Sequence, residues 1–136
     1  MKTKSSTIST NGKIVLALLK KSKKPLTAYD ILSKLKNSTI KAPQTVYRAL
    51  DSLEELGLIH RIQSLGAFIA CHSEEEDHGK QFAVCRLCNN VIELHDHRIC
   101  GFTKEIGKKI KFTIEREMLE LIGVCESCEK YNPGSN

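Results

Sequence analysis

Two cysteine pairs, Cys85-Arg86-Leu87-Cys88 and Cys125-Glu126-Ser127-Cys128, constrain this chain more than any other feature. One such pair can grip a metal ion or close a small disulfide, but two thiolates do not complete a tetrahedral zinc site. Together the pairs supply four sulfurs, a closed set that suits structure rather than catalysis. The segment between them is longer than in a compact zinc ribbon, and a strand–helix–strand insert can return the chain to its start. The competing reading is two redox-active pairs, yet neither sits in a thioredoxin-like βαβ pattern.

At 136 residues the chain holds one domain or two small ones. Trp is absent and aromatics are scarce, so a core must be aliphatic. No long apolar run and no signal-like stretch near Met1 appear, which predicts a soluble, cytoplasmic protein with no membrane segment. Thiols there stay reduced, which favours metal binding over disulfides. The net charge of +5 is unevenly spread. Residues 1–71 hold 12 Lys and Arg against 4 Asp and Glu, whereas residues 72–136 hold 9 against 12. A basic half beside an acidic half points to a polyanion partner for the first; an uneven but inert surface is the alternative.

The pattern predicts three short helices at the start. The first spans Asn11 to Ser22; the second opens on Thr27 with Asp30 in capping-box position and buries Ile31, Leu32 and Leu35. The third has Pro43 in its first turn and Gly57 as its stop. Val46, Leu50, Leu53 and Leu56 form its apolar face, leaving Gln44, Tyr47, Arg48 and Asp51 on the other. Such a set fits a helix-turn-helix. "LIHRIQSLGAFIACH" then reads as two strands around Leu65-Gly66, making a winged helix, and "SEEEDHG" as a solvated hinge. Beyond it come strand, turn, strand, a helix from about Asp96 to Lys109, and one long strand, "KFTIEREMLELIGVC". The expected fold is α+β: residues 1–72 a winged-helix domain, 73–79 a hinge, and 80–136 a small α/β domain.

A hairpin turn centred on Leu65-Gly66 sets His60 directly opposite Cys71 on one face, with Cβ atoms about 4.5–5.5 Å apart. Both could reach one ion, or they could be a buried thiol beside a hydrogen-bonded imidazole. His72 falls on the opposite face. His78 in the hinge and Glu93 after the first cysteine pair are candidates for further ligands. His95-Asp96-His97 is a second ligand-rich run, but such a run is more often a solvated helix start, here capped by Asp96. Cys100 reads as a packed thiol.

These residues resemble the ferric uptake regulator family, and most closely its zinc uptake regulator branch. "APQTVYRALDSLEELGLIHRI" is similar to the family's recognition helix and first wing strand, and the two cysteine pairs to its structural zinc site. The resemblance implies a homodimer, with the C-terminal domain dimerising and a regulatory zinc held by His60, Cys71, His78 and Glu93. A thiolate ligand favours zinc, whereas iron and peroxide sensors of the family generally use His and carboxylates. The His-x-His that follows in some members is absent after Cys71, so two zinc ions per chain are expected.

The function so implied is a zinc-responsive repressor of zinc-uptake genes that binds a near-palindromic double-stranded operator. Tyr47 and Arg48 would contact bases, Arg because its fork matches guanine O6 and N7. Gln44 and Thr45 would reach base edges or phosphate; Arg61, Lys13 and Lys41 would touch the backbone. An iron- or manganese-responsive member of the family and a structural zinc-ribbon adaptor are the alternatives. A zinc enzyme is not expected, because no HExxH motif and no HxE followed by PCxxC is present.

Overall fold

Ser9 accepts a hydrogen bond from the Gly12 N–H at 3.0 Å and so starts α1 (Thr10–Lys21). The computed structural model describes residues 7–71 and 80–131 of a chain that divides into two units, Met1–His72 and Ser73–Asn136. In the first, Thr27 and Asp30 exchange side-chain bonds to each other's backbone N–H, the reciprocal box that opens α2 (Ala28–Lys34). α3 (Pro43–Glu55) begins with Pro where no donor is needed. It ends where Gly57 takes φ +75°, letting the Leu58 and Gly57 amides cap the Leu53 and Glu54 carbonyls. Val46, Ala49, Leu50 and Leu53 turn inward against Val15, Leu19 and Ile31. Leu32 and Leu35, expected to be buried, are half-buried at the rim of this core.

β1 (Ile59–Ile62) and β2 (Ala67–Ala70) pair antiparallel. Leu26 joins the edge by exchanging both backbone bonds with Phe68, at 3.0 and 2.8 Å. The register differs from the sequence expectation: His60 lies opposite Ile69, and the Cys71 amide bonds the Leu58 carbonyl. The cause is the loop. Gln63 to Gly66 all belong to the turn, closed by Leu65 N–H to Ile62 and Gly66 N–H to Gln63, with Gly66 at φ +59°. The pairing slips by two residues, so the side-chain alternation is kept and Cys71 stays on the His60 face as a diagonal neighbour.

The second unit is a three-stranded sheet in the order β4-β3-β5. β3 (Lys80–Cys85) pairs antiparallel with β4 (Val91–Leu94) and parallel with β5 (Met118–Gly123). The parallel crossover carries α4 (His97–Lys109), capped by Asp96. The expected long strand from Lys111 is shortened to β5. Lys111 takes φ +55°, and the Phe112 and Lys111 amides turn back onto Gly107 and Lys108 to close α4. A short helix, α5 (Glu126–Tyr131), follows the second cysteine pair and was not expected. Among the described residues no helix is long and apolar enough to cross a membrane.

Candidate metal centres and DNA-facing surface

Cys85 ends β3, and a tight turn through Asn89, at φ +61°, brings Cys88 back above it. The Asn89 amide bonds the Cys85 carbonyl and the Cys85 amide the Asn90 carbonyl, each at 2.9 Å. Because β5 runs parallel to β3 with Gly123 beside Cys85, the chain delivers Cys125 and Cys128 to the same end. Ligand atoms of all four cysteines lie within 4.8 Å of one another. Cys88 Sγ and Cys125 Sγ are 3.8 Å apart. That matches the ~3.8 Å edge of a tetrahedron with metal–sulfur bonds of about 2.3 Å. The donor set therefore fits zinc. Cys125 donates its N–H to Cys85 Sγ at 3.4 Å. With the Cys88 and Leu87 amides this bond draws the Cys85 pKa down to about 6. Hydrogen bonding to the Cys125 thiol and burial push Cys128 up to about 12.

At the base of the wing, a His60 ring nitrogen and Cys71 Sγ also approach within 4.8 Å. His60 is 5% exposed, so its imidazole is presented from the interior of the unit. Glu93 stands on β4 opposite Phe82, with His95 Nε2 3.9 Å from its carboxylate. His78 lies outside the described residues, as do His72 and the Glu74–Asp77 run. Of the His95-Asp96-His97 patch, Asp96 is committed to the helix cap: it accepts the Arg98 N–H at 2.9 Å and pairs with the guanidinium at 2.7 Å. Those bonds from Arg98 lower the Asp96 pKa to about 2.

Gln44, Tyr47, Arg48 and Asp51 are exposed along one side of α3, and Thr45 is half-buried at its first turn. Tyr47 shares a cavity of about 360 Å³ with Thr27, Tyr29, Arg61 and Gln63.

The ferric uptake regulator family matches residues 5–122 of this chain. The chain belongs to that family. It is 30% identical to the zinc uptake regulation protein of Escherichia coli K12 over 116 residues, 84% of this chain and 68% of the relative. A structure described as a zinc uptake regulator complexed with zinc and DNA superposes with a TM-score of 0.87 at 27% identity, covering 93% of this chain and 86% of that one. The holo form of a protein named XcZur gives 0.82 at 31% identity, covering 93% and 89%. Like other members of the ferric uptake regulator family, this protein is a DNA-binding transcriptional regulator with metal sites, not an enzyme.

Three features of this family member escaped the sequence reading. Tyr29 is 73% exposed at the start of α2, beside Tyr47. Its signal was available, since Ala28 and Ile31 fix the buried side of α2 and leave an aromatic on the polar side. Gln81 is only 2% exposed; it exchanges bonds with the Asp96 backbone at 3.3 and 3.4 Å and reaches Cys100 Sγ at 3.6 Å. It ties the start of α4 to the central strand, and Cys100 is the packed thiol expected. Lys13 and Lys41 are exposed, but Lys41 Nζ donates to the Lys36 carbonyl.

Proposed function

We propose that this protein is a zinc-responsive repressor of zinc-uptake genes, acting as a homodimer on a near-palindromic operator. The observation that carries the reading is the pairing of His60 with Cys71 under the wing, in a chain whose relatives include zinc uptake regulators. Imidazole and thiolate together favour zinc over iron or manganese. His78 and Glu93 complete this regulatory set, and Cys85, Cys88, Cys125 and Cys128 hold a second, structural zinc, giving two per chain. Zinc supplies ligand crosslinks without redox chemistry.

Ligands drawn from the wing, the connecting segment and the second unit restrict the arrangements open to the DNA-binding units. They favour the DNA-competent arrangement only by the difference in zinc affinity between it and the others. Arg48 and Tyr47 then read base edges, with Gln44 and Thr45 at the helix start, while Lys13 and Lys41 neutralise phosphate. The second copy covers apolar side chains that the single chain leaves open in its C-terminal unit, among them Ile92, Phe102, Ile106 and Ile122.

Two substitutions separate switch from readout. Cys71→Ser replaces a soft thiolate with a poor ligand; it keeps the structural zinc and loses zinc-stimulated binding. Arg48→Ala keeps two zinc ions and loses roughly 1–3 kcal/mol of specific affinity. Gel-shift titrations over free zinc, iron(II) and manganese(II), beside metal analysis, read both. A Cys71→Ser protein that answers zinc like the parent would remove the regulatory site. Stronger stimulation by iron(II) or manganese(II) would move the chain to the iron or manganese branch.

A further inference from the structure

The sequence places Arg61 among the phosphate contacts, but its side chain is already engaged three times within its own unit. Nε lies 3.7 Å from Glu54 Oε2, Nη2 lies 3.9 Å from Asp51 Oδ1, and Cζ sits 5.0 Å from the centre of the Phe68 ring. Phe68 is Arg61's cross-strand partner and is itself buried and bridged to Leu26. Of the four acidic residues in 1–71, three (Asp51, Glu54 and Glu55) fall on the second half of α3. Asp51 shares the exposed side of Gln44, Tyr47 and Arg48. An unpaired carboxylate there would repel the phosphates that the helix must approach.

We infer that Arg61 is a positioning residue: it ties the wing to the recognition helix and screens Asp51 and Glu54, rather than contacting the DNA backbone. The inference rests on the DNA-binding reading above. Both carboxylate contacts are charge proximities longer than a hydrogen bond, and among the described residues Nε has no hydrogen-bond partner. A planar guanidinium can still lie near two carboxylates while its face covers a ring, which a compact ammonium does less well. Each contact is partly exposed and individually weak. Their joint loss leaves the wing free to move against α3 and the acids unscreened, so affinity falls evenly across sequences.

The test uses the full chain loaded with zinc, and a duplex that the parent selects from a randomised pool. Arg61→Ala should weaken binding roughly fivefold while the slope of log affinity against log salt stays at the parent's value. Arg61→Lys should be no better than Arg61→Ala. Without DNA, amide exchange in β1 and β2 should accelerate in Arg61→Ala. It should accelerate too, by a smaller factor, in the Asp51→Asn, Glu54→Gln double variant, which keeps Arg61 and its Phe68 ring contact in place and guards against a folding defect of the first. A phosphate contact predicts the opposite: a slope shallower by about one, recovery by Arg61→Lys, and wing exchange unchanged, and this result would overturn the inference. If the parent selects no duplex, the DNA-binding reading fails, and the exchange experiment still decides whether Arg61 tethers the wing.

Discussion

Cys85 is the thiol that gives up its proton first. Its sulfur receives the Cys125 amide and lies in the turn formed by the Leu87 and Cys88 amides, and those partial positive charges hold a thiolate near neutral pH. Cys128 has the opposite environment and keeps its proton. Zinc binds thiolates, so every thiol still protonated must release a proton on binding. At neutral pH Cys85 has none to release; below about pH 6 it does, and zinc affinity falls more steeply with acid there. Calorimetric zinc titrations of metal-free protein, run at pH 7 and pH 5 in buffers of different ionisation enthalpy, should show about one more proton released per zinc at the lower pH. An unchanged proton count would mean that Cys85 does not titrate between them.

Phe102 and Ile106 on α4 and Ile110 at its C-cap follow at intervals of four and all remain exposed in the single chain. They are already partly covered, so burying the remainder in a partner contributes about 1–2 kcal/mol each. Ile106→Glu should therefore convert the dimer to monomer while leaving helix content unchanged, as read by sedimentation and circular dichroism; a variant that stays dimeric would place the interface elsewhere. Elements whose punctuation is chemical were legible beforehand. Thr27 with Asp30, Pro43 with Gly57, and the two cysteine pairs each fix local geometry by hydrogen bonding, ring constraint or metal chemistry. Elements governed by tertiary context were not. Lys111 and Phe112 are spent on closing α4, so the strand that the pattern starts there begins only at Met118. α5 has no apolar register to announce it, since none of its residues is buried. The wing loop is two residues longer than the sequence pattern implies, yet the His60–Cys71 juxtaposition holds because a slip of two preserves the face. Gln81 stayed hidden because alternation marks a strand position as inward without revealing a buried amide.

Across the whole chain, the basic excess lies in the first unit and the sulfur quartet in the second, so loss of the quartet should leave DNA-facing side chains untouched and still abolish function. Cys88→Ser removes one of the four cysteines proposed to share a zinc, and binding energy at such a site is folding energy. The expected outcome is loss of dimer and a fall in thermal midpoint of at least ~10 °C; a variant that remains dimeric at the parent's midpoint would show that the four cysteines share no metal. The parallel pairing of β3 with β5 carries one more consequence. Cys85 meets Gly123 only after the chain has passed through β4, α4 and the segment behind it. Contacts so distant along the chain form slowly, whereas the helices and hairpin of the first unit are joined by short connections. During synthesis the nucleic-acid reader is finished early, and the first cysteine pair waits as half a chelate. The four sulfurs meet last, so the metal they are proposed to hold would enter at the final step of assembly.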